Sequence, residues 1–397
     1  MKTVWKACGY VLLLLTLVAV TLTGLAWENF GRAPQHLDTS ALQAEGRWAN
    51  GAFLNSEPMK LDTWGSILSM LDTSPFATPP ENIQTLIQKS PKVSDKSEPG
   101  IRVLWLGHST CLIDIDGHRI LTDPIFDDRA SPWSFMGPAP WFPSILKVDE
   151  LPPIDAVIIS HDHYDHLSKS AIQRLRDKVT RFIVPLGVDA HLQSWGVEES
   201  SIQALDWWTS TQVGGLTITA TPGRHASGRS LADQNRTLWM GVAIQGPRHR
   251  VYFSGDTGWT SAFKEIGEKL GPFHVTMIDS GAYHPSWPDW HLGPEWAAVA
   301  HRDLRGEVFI PIHWGRFTLA PHGWTEPAER ARVAGALLGI QVALLRPGVT
   351  FTYGEDVPAK PWWPNLPWDS AQLSPIPTTT GGTGTPLVTL PRELQKD

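Results

Sequence analysis

The sequence predicts a mixed α/β domain whose strands deliver polar loops to one edge. Three observations predict it. The first is Ser160-His161-Asp162-His163-Tyr164-Asp165-His166-Leu167, in which three histidines and two aspartates fall within six residues. It follows an apolar run, Ala156-Val157-Ile158-Ile159, bounded upstream by Leu151-Pro152-Pro153. A short β-rich run ending in a polar cluster reads as a buried strand that delivers a loop. The second is that three later segments repeat this grammar. Leu216–Ala220 leads through Thr221-Pro222-Gly223-Arg224 to His225, Val251–Gly255 leads to Asp256, and Val308–Ile312 leads to His313. The third is that strands and helices alternate in two runs, each ending at one of these polar residues.

Neutral imidazole and carboxylate are ligands that a borderline dication such as Zn²⁺ prefers. The spacing His-x-His-x-Asp-His suits two metals better than one. His161 and His163 can converge on one ion while Asp165 and His166 turn to a second. A solvated loop is the bland alternative. A lone histidine after a strand is more often a core or surface residue than a ligand. Three such segments in order, behind the six-residue cluster, reverse that preference.

The chain has 397 residues and a net charge of −7, with 18% charged residues. That length allows one large core and does not demand more than two domains. No basic cluster marks a nucleic-acid footprint. The two cysteines, Cys8 and Cys111, are far apart, and Cys8 lies in an apolar N-terminal segment, so no disulfide between them is expected. There are twenty tryptophans, several in pairs such as Trp207-Trp208 and Trp362-Trp363, and Trp287 lies close to Trp290. Core packing and site walls are the first reading, and an interfacial lipid belt is the second.

In chain order, Lys2 and Lys6 precede an uncharged stretch from Ala7 to Ala26, long enough to cross a bilayer as a helix. Lysines before it place the N-terminus in the cytoplasm and the rest outside, which is the periplasm if the source is bacterial. A cleaved signal peptide (residues 1–27) is the rival, since Gly24-Leu25-Ala26 has a small-x-small form. Residues 28–99 read as a linker wrapping the catalytic domain, with short helices expected at Thr63–Leu71 and Asn82–Gln88. The domain proper spans 100–356. Ile101–Leu106 and Cys111–Ile115 read as strands, Asp116-Gly117 as a hairpin turn that needs positive φ, and Arg119–Thr122 as the return strand ending on Asp123. Residues 126–150, rich in Pro, Trp and Phe, read as a substrate-facing loop. Ser168 caps a helix to about Asp177, and Phe182–Val184 is a buried strand. Trp239–Ile244 and Val251–Ser254 form a hairpin around Gly246-Pro247. Helices are expected near 261–269, 294–304 and 326–339, the last two with Pro294 and Pro327 in the first turn. From about 357 to 397 the Pro/Thr/Gly-rich composition reads as an extended, mobile tail.

This constellation resembles the metallo-β-lactamase superfamily. Further strings resemble one branch of it: Trp105-Leu106-Gly107-His108-Ser109-Thr110, Leu121-Thr122-Asp123-Pro124-Ile125-Phe126, Met136-Gly137-Pro138, Leu205-Asp206-Trp207-Trp208, Gly281-Ala282-Tyr283 and Ile312-His313-Trp314-Gly315. That branch is the N-acylphosphatidylethanolamine-hydrolysing phospholipase D family, and the likeness covers about residues 100–355. It implies a four-layer αββα sandwich with the site along one edge of the sheets. It also implies that His161, His163 and His225 bind one zinc, that Asp165, His166 and His313 bind the other, and that Asp256 bridges them. Asp123 would orient a ligand histidine from behind, and His108 would do the same. His291, in Trp290-His291-Leu292-Gly293-Pro294, matches a family histidine that could donate to the substrate phosphate or leaving group; a surface histidine at a helix start is the alternative. Two departures from the family pattern stand out. Asp162 replaces asparagine, with a minor effect expected, and His284 replaces glutamate. Asp155 and Tyr164 read as structural.

The expected activity is hydrolysis of an N-acylphosphatidylethanolamine-type phospholipid to phosphatidic acid and N-acylethanolamine, by a hydroxide that two Zn²⁺ ions make available at neutral pH. Iron or manganese could occupy such a site. A zinc hydrolase of a soluble lactone, ester or phosphodiester is the second reading, and a non-catalytic binding protein on the same fold is the third. The expected partners are phospholipid and membrane, with no nucleic acid, and the resemblance implies a homodimer.

Overall fold

The computed structural model describes residues 2–35 and 37–379. The core is two seven-stranded sheets packed face to face. The first sheet is built from β3 (Ile101–Trp105), β4 (Cys111–Ile115), β5 (His118–Thr122), β6 (Ile154–Ile158), β7 (Val179–Pro185), β8 (Ile202–Leu205) and β16 (Thr350–Thr352), in the order β16-β3-β4-β5-β6-β7-β8. The second contains β9 (Ser210–Val213), β10 (Leu216–Thr221), β11 (Gly241–Gln245), β12 (Arg250–Phe253), β13 (Phe273–Asp279), β14 (Gly306–Ile312) and β15 (Gln341–Val342), in the order β15-β14-β13-β12-β11-β10-β9. In each sheet the hairpin-linked strands pair antiparallel and the helix-linked ones pair parallel.

Burial on both faces explains the unbroken apolar runs. Val103, Trp105, Cys111 and Ile113 pack between the sheets, while Leu104, Leu112, Val157 and Ile159 face an outer layer. Alternate side chains point to opposite faces of a strand, so a strand covered on both sides must be apolar throughout. The outer layer of the first sheet contains α4 (Lys169–Leu175) and α5 (Val188–Ser194). That of the second contains α6 (Ala262–Lys269), α7 (Pro294–Asp303) and α8 (Glu326–Leu338). Ser168 caps α4 by accepting from the Ala171 amide, as its position before the first apolar turn predicts.

The N-terminal helix α1 (Lys2–Phe30) contains one stretch long and apolar enough to cross a membrane; most of that stretch is exposed, and its end packs on the domain through Ala26. Residues 31–99 hold α2 (Ser40–Ala44), a ribbon of β1 (Trp48–Ala49) and β2 (Ala52–Phe53), and α3 (Thr63–Ser69). Leu42, Phe53 and Ile83 enter the main core, so this segment is part of the fold as well as a wrap around it. The helix expected at Asn82–Gln88 is only a 3₁₀ turn over Glu81–Thr85, with Pro79 and Pro80 before it.

The mobile-tail expectation is corrected for the described part of the tail. Trp363, Ile376, Thr378 and Thr379 are buried. Trp363 donates to Glu329, and Thr379 donates through both its amide and its hydroxyl to the buried Asp289. Paired polar groups and buried tryptophan outweigh the composition signal. Residues 380–397, which include most of the Thr/Gly-rich stretch, lie outside the described residues.

Candidate metal centre

Every expected metal ligand, with His108 and Asp123, lies just beyond the end of a strand, along one edge of both sheets; His291 comes from the loop before α7. His108 follows β3, Asp123 follows β5, residues 160–167 follow β6, His225 follows β10, Asp256 follows β12 and His313 follows β14. His108, Asp123 and His313 have φ of 56°, 36° and 63°, a left-handed conformation that costs a non-glycine residue ~1–2 kcal/mol. The two sheets are stitched together here, because His108 donates its amide to Trp314 and His313 donates its amide to His108. Strain of this kind persists where surrounding bonds over-determine it.

The hydrogen bonds behind the imidazoles fix which nitrogen faces the centre. His161 Nδ1 is 2.9 Å from Ser160 Oγ, which itself donates to Asp123. His225 Nδ1 donates to the Trp290 carbonyl at 2.9 Å, and His166 Nδ1 is 2.7 Å from Asp123 Oδ2. Each of these three rings therefore turns Nε2 inward. His161 Nε2 and His225 Nε2 converge on His163 Nδ1 at 2.9 and 3.3 Å. On the other side, Asp165 Oδ2 lies 3.3 Å from His166 Nε2 and 3.4 Å from His313 Nε2. Asp256 stands between the two groups. Its Oδ2 is 3.1 Å from His166 Nε2 and 3.0 Å from His313 Nε2, and 3.9 Å from both His161 Nε2 and His225 Nε2.

The donor set fits divalent cations. Lone pairs from His161, His163 and His225 meet with little room for protons between them. His166 Nε2 and Asp256 Oδ1 are buried without a hydrogen-bond partner among the described residues. A buried polar atom left unpaired is costly, and a cation satisfies it. The electrostatics point the same way. Burial, with His166, His163 and His225 adding to it, holds the His161 ring well below its usual range. Burial alone would raise the Asp256 carboxyl, but His166 and His313 outweigh it and hold it well below the carboxylate range.

The other expected site residues fall around this centre. His108 Nε2 is 2.9 Å from Asp165 Oδ2 and its ring packs on His313; its donor atom lies within 4.8 Å of those of Asp165, His166 and His313, so it joins this group. Burial, then proximity to His313, pushes it down to about 3. His291 stacks on His313 with ring centroids 4.8 Å apart, in place at the centre and not on an outer surface. His284 lies outside the ligand set and lines a cavity of about 450 Å³ with Phe76, Tyr283, His322 and Glu326. Tyr164 donates to the Arg229 carbonyl and Asp155 accepts from the Arg119 amide, both structural roles.

Sequence reasoning missed Asp279. It is fully buried at the end of β13, with Oδ2 2.9 Å from His291 Nδ1 and Oδ1 3.4 Å from His313 Nδ1. Its signal was the same strand-then-acid grammar, Val275-Thr276-Met277-Ile278-Asp279. It also missed Asn55, whose side chain donates to the His225 carbonyl and accepts from the His225 amide. Nothing local marks a single asparagine 170 residues away in sequence.

A family described as the beta-lactamase superfamily domain matches residues 118–314. The chain is 41% identical over 330 residues to an uncharacterised protein of Mycobacterium tuberculosis, covering 80% of this chain and 87% of that one. It is 40% identical over 242 residues to N-acyl-phosphatidylethanolamine-hydrolyzing phospholipase D 1 of Caenorhabditis elegans, covering 58% of this chain and 67% of that one. Among solved structures it is similar to a metallo hydrolase of Ignicoccus hospitalis, with a TM-score of 0.50 and 23% identity, covering 64% of this chain and 99% of that one.

Proposed function

The chain belongs to the metallo-β-lactamase superfamily and is a metal-dependent hydrolase of that fold, and from this we propose that it is a dinuclear zinc phosphodiesterase acting on an N-acylphosphatidylethanolamine-type phospholipid. The observation that carries the two-metal reading is the position of Asp256 Oδ2 between two converging sets of ligand atoms. His161, His163 and His225 would hold one ion, Asp165, His166 and His313 the other, and Asp256 would touch both. Iron or manganese would fit the same donors. Two such cations, when bound, acidify a water and neutralise charge on phosphate oxygens.

The residues of the chain do the rest. Asp123 and Ser160 lock the His161 and His166 rings in the tautomer that faces the centre. Asp279 holds His291 by Nδ1, and His291 Nε2 makes no hydrogen bond among the described residues. That nitrogen can give a proton to the departing alkoxide. Overall, one water is consumed: its oxygen joins phosphorus, the P–O bond to the N-acylethanolamine breaks, and phosphatidic acid and the neutral alcohol result.

Two features support the lipid substrate: the similarity to the C. elegans phospholipase D and the apolar α1. Lys2 and Lys6 before that helix support an extracytoplasmic catalytic domain. Since the relatives bear the names of hydrolases, the binding-only alternative is set aside. The test is cleavage of vesicles containing N-acylphosphatidylethanolamine, followed by N-acylethanolamine release, beside soluble bis(p-nitrophenyl) phosphate. Release from vesicles supports the lipid reading. Activity confined to the soluble diester overturns it and leaves a soluble-substrate hydrolase.

A further inference from the structure

The end of α1 is built into the metal loop. Arg229 is buried, and its guanidinium donates in two directions. Nη1 donates to the carbonyls of Asp162 and Leu167, near the two ends of the His/Asp cluster, at 2.6 and 2.9 Å. Nε and Nη2 donate to the Asn29 carbonyl in the last turn of α1, at 2.9 and 2.8 Å. A cation on the last carbonyls of a helix is also favoured by the helix dipole. Around this clasp, Trp195 Nε1 donates to the Glu28 carbonyl, and the Arg32 amide donates to His191 Nδ1. The other ring nitrogen, Nε2, meets Asp162 Oδ2 at 3.2 Å. Leu22 is half-buried and Ala26 fully buried, so the helix packs by an i, i+4 face before the clasp begins.

A second contact lies deeper along the helix. Trp133 Nε1 donates to the Leu22 carbonyl at 2.9 Å, and the Asn29 side chain donates to the Pro132 carbonyl at 2.7 Å. The uncharged stretch ends at Ala26. At a rise of about 1.5 Å per residue, Leu22 sits ~6 Å inside that end, so a helix spanning the ~30 Å hydrocarbon brings Trp133 to its boundary. In the same loop, Phe135 and Met136 are 59% and 43% exposed. Tryptophan favours this depth in a bilayer, and Phe135 and Met136 offer exposed apolar surface beside it.

We infer that α1 is a rigid strut and not a loose tether: clasped to the metal loop through Arg229, it holds the metal-bearing edge of the sandwich against a lipid surface, with Trp133, Phe135 and Met136 in the interfacial layer. The inference rests on α1 spanning the bilayer, and it adds an orientation that the proposed activity does not require. It gives the substrate-facing loop a second partner, the membrane itself.

The test uses the full chain in phospholipid vesicles carrying a quencher just below the headgroups. On a Cys8→Ser background, with Cys111 buried, an environment-sensitive fluorophore is placed at Phe135→Cys, Met136→Cys or Arg248→Cys. Arg248 is exposed in the β11–β12 hairpin, at the opposite end of the sheet from Asp256. The strut predicts loss of fluorescence at 135 and 136 and none at 248. A flexible Gly-Ser insertion between Ala26 and Trp27 leaves the clasp intact and should abolish the quenching at 135 and 136. Equal signals at all three positions while α1 resists alkaline extraction, or cleavage of α1 from the mature chain, would overturn the inference. So would quenching that survives the insertion. None of these readouts depends on hydrolysis, so the orientation and the lipid activity fail separately.

Discussion

His166 and Asp123 form a fully buried pair, with Nδ1 of the ring 2.7 Å from Oδ2 of the carboxylate. The same carboxylate accepts from the Ser160 amide and hydroxyl at 2.7 and 2.6 Å, so one residue fixes the orientation of a candidate ligand and the start of the His/Asp loop. Asp123→Asn should keep the fold and weaken metal retention ~10–100-fold, the usual cost of removing such a partner. Competition with a chelator measures it. Retention equal to wild type would show that the ring needs no help from Asp123.

His291, held by Asp279, is expected to matter most when the leaving group is a poor one. His291→Gln should lower kcat on the phospholipid by ~10²–10⁴, the range for loss of a proton donor. Cleavage of bis(p-nitrophenyl) phosphate, whose leaving group needs no proton, should fall much less, with metal content unchanged. An equal fall on both substrates would remove His291 from proton transfer.

Asp162 gathers three hydrogen bonds beside the cluster. It is buried, with Oδ2 at 2.8 Å from Thr237 Oγ1 and 3.2 Å from His191 Nε2, while Oδ1 accepts from the Gly228 amide at 2.7 Å. Asp162→Ala orphans three donors, of which Thr237 Oγ1 and His191 Nε2 are buried. The expected loss is about 1–3 kcal/mol for each donor left unsatisfied, read from chemical denaturation. A midpoint unchanged from wild type would contradict this.

At the opposite end of the sandwich, Asp116 from the β4–β5 hairpin reaches across to His249 Nδ1 at 2.6 Å, joining the two sheets. Burial alone would raise this carboxyl, but the hydrogen bond from His249, with the amides of Arg248 and His249, outweighs it and holds it below the usual range. A carboxyl depressed in the folded state adds stability above its unfolded value of about 4, and that contribution disappears as pH falls. Asp116→Asn should therefore lower Tm at pH 7, and the gap to wild type should close below about pH 4. A constant gap would assign the effect to packing.

What was legible in the sequence had a local signature. His161, His163, Asp165 and His166 stand together behind a strand, and His225, Asp256 and His313 each follow one. The helices with Pro294 and Pro327 in the first turn formed as their punctuation predicts. What was not legible depends on contacts distant in the chain. Asn55 finds His225, Thr379 finds Asp289, and Arg229 joins Asn29 to Leu167 only after both sheets have closed. The tail shows the same limit: Pro and Thr predict extended chain, but composition cannot say that Trp363 and Ile376 have a surface to bury against.

The central claim is a two-metal centre joined by Asp256, and metal content measured with lipid cleavage on one preparation tests it most directly. Wild-type protein should carry two metal ions per chain and release N-acylethanolamine from vesicles. Asp256→Ala, folded by circular dichroism, should lose metal and release none. A wild-type protein with a single ion, or an Asp256→Ala protein that keeps both ions and full activity, would contradict the account.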